Sequence, residues 1–115
     1  MRALISIVVW MSAIAMTPVW SQGTSYPNKA VRIIVPYAPG GNVDISARTI
    51  GPRMSELLGQ TVVVDNRPGA GGSLGTSLAA KATPDGYTLF VGSSGPLTVN
   101  PIIFKKLPYD TLRDF

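Results

Sequence analysis

The feature that most constrains the fold is a short apolar run, Val31–Val35, followed by a turn rich in proline and glycine and then by a helical pattern. A continuous run with β-branched residues predicts a strand that is buried on both faces of a sheet. The glycines of Pro39-Gly40-Gly41 let the backbone approach a ligand closely, because they carry no Cβ. We expect Asn42 to cap the next helix, whose free N–H groups favour an anion at this turn.

Two later stretches repeat this plan, at residues 61–72 and 87–95. Strands are predicted at 61–65 and 87–91, with Gly-rich turns at 66–72 and 92–96 and a helix that Ser73 caps. The alternation of strands and helices predicts an α/β fold with a mostly parallel sheet and right-handed crossovers. Because all three turns leave the carboxyl ends of strands, we expect them to share one edge of the sheet.

Both helices have predicted buried faces, and Gly59 is predicted to end the first helix as its C-cap. Pro52 lies well inside that helix, so we expect a kink or two short helices there. In the second helix, small Gly75 is predicted to allow close packing. The predicted buried residues are Val43, Ala47, Ile50, Met54, Leu57 and Leu58 in the first helix, and Leu74, Leu78, Ala79 and Ala82 in the second.

Composition excludes several function classes. The chain has no Cys and no His, which excludes disulfides, thiol nucleophiles, Cys/His zinc sites and the Ser-His-Asp triad. Six scattered acidic residues form no evident acid–base pair, so we expect no enzyme, no catalytic residue, no metal and no cofactor. The net charge of +4 comes from scattered basic residues without an aromatic-lined stripe, so we expect no nucleic-acid partner.

The N-terminus has the layout of a secretory signal peptide. Met1-Arg2 precedes a mostly apolar, uncharged segment that runs to Trp20. We expect cleavage after Ser21, with Gly23 as a later alternative, which leaves residues 22–115 as one α/β unit. A single transmembrane anchor is the rival interpretation, since the segment approaches the roughly 20 residues needed to span a bilayer. Export predicts a periplasmic protein.

Four blocks of residues together resemble the Bug-type receptors, which are the extracytoplasmic solute-binding proteins of tripartite tricarboxylate transporters. The blocks are residues 31–44, 62–72, 84–89 and 106–110. The resemblance implies a type II periplasmic-binding-protein fold in which two lobes close on a small organic acid and deliver it to a membrane permease. Because family members are longer, it also implies the N-terminal part of the first lobe only, with the second lobe absent.

The resemblance places the ligand carboxylate on backbone groups of the three turns. The implied ligand-binding residues are Gly40, Gly41, Asn42 and Asp44, then Ala70, Gly71 and Gly72, then Ser93, Ser94 and Gly95. From the residues themselves, Asp44 suits the first turn of a helix, where it stabilises the helix dipole or holds the loop by accepting its N–H groups. Direct contact of Asp44 with an anionic ligand is disfavoured by charge repulsion. The serine hydroxyls are the best side-chain hydrogen-bonders.

Two alternatives stay open. Gly69-Ala70-Gly71-Gly72-Ser73-Leu74-Gly75 contains G-x-G-x-x-x-G after a strand, which is a weak match to a dinucleotide site in an α/β enzyme. The other alternative is a truncated receptor with no activity of its own, because half of the cleft would be missing. Arg67 could pair with a carboxylate ligand, although a surface position is the commoner fate of arginine.

Overall fold

A three-stranded parallel sheet forms the centre of the protein in a computed structural model, which describes residues 25–115. The strands are β1 (Val31–Val35), β2 (Val62–Asn66) and β3 (Thr88–Phe90), in the order β2-β1-β3. Ile33 of β1 lies opposite Val64 on one side and Leu89 on the other. The α/β fold with a parallel sheet is confirmed. β2 begins and ends one residue later than predicted, and β3 is two residues shorter.

In the described part of the chain, four helices accompany the sheet: α1 (Asn42–Leu58), α2 (Ser73–Ala80), α3 (Asn100–Ile103) and α4 (Thr111–Asp114). A 3₁₀ turn, Ala70–Gly72, leads into α2, and a π-helical turn, Gly95–Val99, leads from β3 into α3. The structure therefore alternates strand and helix through β3, as predicted.

The core lies where β1 meets α1. Ile33, Val35 and Ala47 are buried, and partly buried apolar side chains surround them. Those side chains are Tyr37, Val43, Met54, Val62, Val64, Leu89 and Val91. Full burial of a Val or Ile side chain stabilises a fold by about 1.5–3 kcal/mol, so β1 is the main apolar anchor of the sheet.

The helix α1 runs without a break past Pro52, so the expectation of two short helices is wrong. Proline clashes with the Cβ of the preceding residue in helical conformation, and Gly51 has no Cβ to clash. Gly59 ends the helix with a φ of 64°, as predicted. The predicted cap is wrong by one residue, because Gly41 is the N-cap and Asn42 is the first helical residue. Asn42 Oδ1 accepts the N–H of Val43 at 2.8 Å.

The predicted buried faces of the helices are only partly correct. Leu74 and Leu78 of α2 are 51% and 42% exposed, whereas the small and polar residues of that helix are buried. The buried residues are Ser73, Gly75, Thr76 and Ser77. In α1, Ala47 is buried as predicted, but Ile50 and Leu57 are exposed.

Close packing at Gly75 explains why α2 buries its small residues and exposes its leucines. A Cβ on Gly75 would lie 2.7 Å from both Pro36 Cα and Arg67 O, so only a glycine fits there. The small side of the helix must therefore face the sheet, and the leucines face outward. Gly72, with a φ of 91°, is the N-cap of α2, which corrects the expectation that Ser73 caps it.

The predicted signal peptide, residues 1–21, lies outside the described residues. Between residues 25 and 115, none of the helices combines the length and the apolarity that crossing a membrane requires.

Candidate functional site

The three Gly-bearing turns lie at the same edge of the sheet. We call this edge the rim: it comprises residues 36–42 after β1, 67–72 after β2 and 91–95 after β3. All three strands are parallel, so their carboxyl ends meet there, as predicted. Six predicted site residues on the rim are exposed: Gly40, Gly41, Asn42, Ala70, Gly71 and Ser94. Ser93 and Gly95 are half-buried, whereas Asp44 and Gly72 are buried.

Asp44 holds the first turn in shape. Its side chain is buried, and Oδ2 accepts the N–H of Gly40 at 2.8 Å. Gly40 has a φ of 88°, in the left-handed region that favours glycine. Arg48, one helical turn further along α1, donates from Nε to the same carboxylate at 3.0 Å. The predicted role of Asp44 in holding the loop is thus confirmed by these hydrogen bonds.

These donors also fix the charge of Asp44. The Gly40 N–H, and then the hydrogen bonds from Arg48 and Asn66, lower the pKa of the Asp44 carboxyl from 3.8 to about 2. Hydrogen bonds to the charged form favour that form. The carboxylate is therefore ionised at neutral pH, and the adjacent guanidinium of Arg48 offsets its negative charge.

Asn66 connects the first turn to the end of β2, and sequence analysis missed it. Its Nδ2 donates to Tyr37 O at 3.0 Å and to Asp44 Oδ1 at 2.9 Å. Its Oδ1 accepts from Arg48 Nη2 at 2.9 Å. Both polar atoms of the Asn66 side chain are thus bonded to groups that hold the first turn of the rim. The only sequence signal was a polar residue at the start of the predicted Gly-rich turn, directly after a β-branched strand.

The second turn has an unusual backbone. Gly69, Ala70, Gly71 and Gly72 have consecutive positive φ values of 138°, 48°, 61° and 91°. Such a path requires glycine at most positions, and the buried Asn100 supports it by donating from Nδ2 to Gly71 O at 3.3 Å and to Ser73 Oγ at 2.9 Å. Gly69 and Gly71 of the G-x-G-x-x-x-G motif therefore have structural roles in the turn, and Gly75 lets α2 pack closely against the sheet.

The third turn is joined to the first by two hydroxyl groups. Tyr37 Oη and Ser93 Oγ are 2.6 Å apart and form a hydrogen bond. Behind this turn, Tyr109 donates to Pro96 O at 2.6 Å within the buried interior. Tyr37 is thus the side chain that connects the two turns.

The rim presents neutral donors rather than free cations. Within residues 25–115, the backbone N–H groups of Gly41 and Asn42 have no acceptor. Arg67 is exposed, and its Nε donates to Asp65 at 2.9 Å, which places it on the surface. Free N–H groups at a helix N-terminus attract the oxygen atoms of an anion. The arrangement is therefore suited to an acid group held by main-chain amides.

Comparisons with known proteins point to one family. A family described as "Tripartite tricarboxylate transporter family receptor" matches residues 46–115. Protein BugT of Bordetella pertussis is 42% identical over 113 residues, which are 97% of this chain and 34% of BugT. The chain thus spans about a third of that relative.

Two solved structures have the same fold as this chain. One, described as a periplasmic transporter, is 54% identical with a TM-score of 0.74, over 76% of this chain and 30% of its own. MatC from Rhodopseudomonas palustris, solved with bound malate, is 41% identical with a TM-score of 0.74, over 78% of this chain and 31% of its own.

Proposed function

We propose a function for this chain from one premise: the chain belongs to the tripartite tricarboxylate transporter receptor family. Its members are receptors of transporters, which agrees with the expectation that the chain is not an enzyme. In our proposal the chain is part of a periplasmic receptor, exported by a signal peptide at residues 1–21. The receptor captures a small organic acid of the dicarboxylate class and delivers it to a membrane permease. The malate bound to MatC supports this class of ligand.

The observation that carries this proposal is the meeting of three Gly-bearing turns at one edge of a parallel sheet. The ligand-binding residues in our proposal are Gly40, Gly41, Asn42, Asp44, Ala70, Gly71, Gly72, Ser93, Ser94 and Gly95. Most of them offer only main-chain groups, and most are exposed on the rim. A carboxylate of the ligand would accept hydrogen bonds from the N–H groups that are free, such as those of Gly41 and Asn42, without a formal counter-charge.

The electrostatics of the rim are compatible with an anion. An anion at the N-terminus of a helix gains roughly 0.3–1 kcal/mol from the helix dipole, and the start of α1 lies on the rim. Asp44 has its charge offset by Arg48 and its oxygens engaged by Gly40 and Asn66, so in our proposal it shapes the site through the loop. A second lobe would then close over the acid by a hinge motion and hold it until the permease is reached.

Titration calorimetry of this chain with malate tests the proposal, with Gly41→Val as the diagnostic variant. The nearest atom to a Cβ at position 41 is Ala38 O at 3.7 Å, so we expect the variant to fold with an unchanged far-UV circular dichroism spectrum. The valine methyl groups would cover the free N–H groups, and malate binding should be lost. Leu57→Val, at a position of α1 that is 70% exposed, is the control and should bind as the parent chain does.

Each contrary result has its own meaning. Retained malate binding in Gly41→Val would remove the first turn from the site. No binding of malate or other small organic acids by the parent chain would overturn the proposal that this chain binds the acid, and would favour the alternative of a truncated receptor with no activity of its own. Binding of NAD together with no binding of acids would favour the dinucleotide alternative.

A further inference from the structure

The hydroxyl group of Tyr37 lies where the three turns of the rim meet. Its Oη is 2.6 Å from Ser93 Oγ on the third turn. A Cβ at Gly72, on the second turn, would lie 3.3 Å from the same oxygen, and one at Gly95 would lie 3.2 Å from it. Glycines of two different turns therefore lie next to the same phenol oxygen, and no side chain of their own separates them from it.

One of the two hydroxyl protons of Tyr37 and Ser93 is not used in the hydrogen bond between them. Each hydroxyl carries one proton to donate, and the bond between Tyr37 and Ser93 uses only one of the two. Neither hydroxyl has another hydrogen-bond partner within residues 25–115. One O–H group of the pair is therefore free to donate to an acceptor that the described residues do not supply.

The chemistry of the two hydroxyls decides which of them keeps the free proton. Either hydroxyl can supply the proton of this bond. Because a phenol is more acidic than an aliphatic alcohol, we assign Tyr37 as the donor and Ser93 Oγ as the acceptor. A hydroxyl that accepts a hydrogen bond becomes a stronger donor itself, because chains of hydrogen bonds polarise one another. The free donor is thus the Ser93 hydroxyl, strengthened and oriented by Tyr37.

We propose that Ser93 donates its hydroxyl proton to a carboxylate oxygen of the bound acid, and that Tyr37 is the positioning residue that orients this donor. This inference rests on the proposed receptor function, which already places Ser93 in the site, and adds to it the positioning role of Tyr37 and the direction of the Ser93 hydroxyl. A hydrogen bond from a neutral hydroxyl to a carboxylate is charge-assisted, which makes it stronger than a bond between two neutral groups. The site can thus recognise an acid without a cationic side chain.

A double-mutant cycle on malate binding tests this inference. Ser93→Ala should weaken malate binding by about 10-fold or more, which is the usual effect of losing a hydrogen bond to a charged group. Tyr37→Phe should weaken it by a smaller factor, and the double variant by about as much as Ser93→Ala alone, because Tyr37 acts through Ser93. Ser93→Thr keeps a hydroxyl and should recover most of the affinity.

The control is Tyr26→Phe, which removes the same kind of bond far from the rim. Tyr26 donates to Gly86 O at 2.6 Å before the start of β3, so this variant should bind malate as the parent does. Unchanged affinity in Ser93→Ala, or losses for Ser93→Ala and Tyr37→Phe that simply add, would overturn the inference while leaving the receptor function intact. A parent chain that binds no organic acid would overturn both the inference and the proposal that this chain binds the acid.

Discussion

Gly75 offers the sharpest test of how the rim is held. A methyl group at this position would lie 2.7 Å from Pro36 Cα and 2.7 Å from Arg67 O. Both are main-chain atoms, so they cannot swing away as the end of a flexible side chain would. Pro36 follows β1 and Arg67 follows β2, and both belong to turns of the rim. Gly75→Ala must therefore push α2 away from two turns at once.

Two opposing effects set the magnitude for Gly75→Ala. Overpacking a well-packed site costs about 1–3 kcal/mol, and replacing glycine by alanine inside a helix returns up to about 1 kcal/mol. We expect a net loss of about 1–2 kcal/mol in the free energy of unfolding, measured by urea titration and far-UV circular dichroism. For a domain of this size each kcal/mol corresponds to a fall in Tm of roughly 4–8 °C.

Gly41→Ala is the matched control for this measurement. Gly41 has an extended backbone with φ −77° and ψ 166°, which alanine also adopts, and a Cβ there would have an ordinary contact of 3.7 Å. Alanine is a poorer N-cap than glycine, which destabilises the folded chain, but it also lowers the entropy of the unfolded chain, which stabilises the fold. The two effects offset each other, so we expect the free energy of unfolding to change by no more than about 0.5 kcal/mol. If Gly75→Ala were as stable as the parent, or no worse than Gly41→Ala, the close packing of α2 on the rim would be refuted.

Two further predictions concern charge and the core. The folded-state pKa of Asp44 is about 2, below the ordinary 3.8, so its stabilising contribution is present above pH 3.8 and is lost as the pH falls through 2. The difference in unfolding free energy between the parent and Asp44→Asn should therefore shrink between pH 4 and pH 2, and a constant difference would contradict the hydrogen-bonded carboxylate. Ile33→Ala, in the buried middle of β1, should cost about 2–5 kcal/mol in a urea titration. Leu57→Ala, on the exposed face of α1, should cost no more than about 0.5 kcal/mol, and equal losses would contradict the assigned core.

The sequence was enough to predict the sheet and the rim because their signals are local. Val31–Val35 is β-branched at every position except Arg32, and Gly59 marks the end of α1 as predicted. Parallel pairing then follows from the helical crossovers, and it brings the three turns to one edge. None of these inferences needs a contact between distant residues.

The helix caps and Pro52 were misjudged locally, whereas the errors in burial and in side-chain bonding occurred where distant residues decide the outcome. Apolar spacing placed Leu74 and Leu78 inside, but the backbone approach at Gly75 turns the small side of α2 inward. The bonds of Asn66 to Asp44 and of Tyr37 to Ser93 join residues 22 and 56 positions apart. No periodicity encodes such pairs, because each depends on where the crossovers place the ends of the strands.

The central position of the first strand has a consequence during synthesis. β1 leaves the ribosome before either of its neighbours, and β3 reaches it only after about 50 further residues have been added. Until then this strongly apolar segment has unpaired edges, which are a template for association with other chains. Any cellular factor that shields nascent chains should therefore have its greatest effect on this protein before β2 and β3 have paired with Val31–Val35.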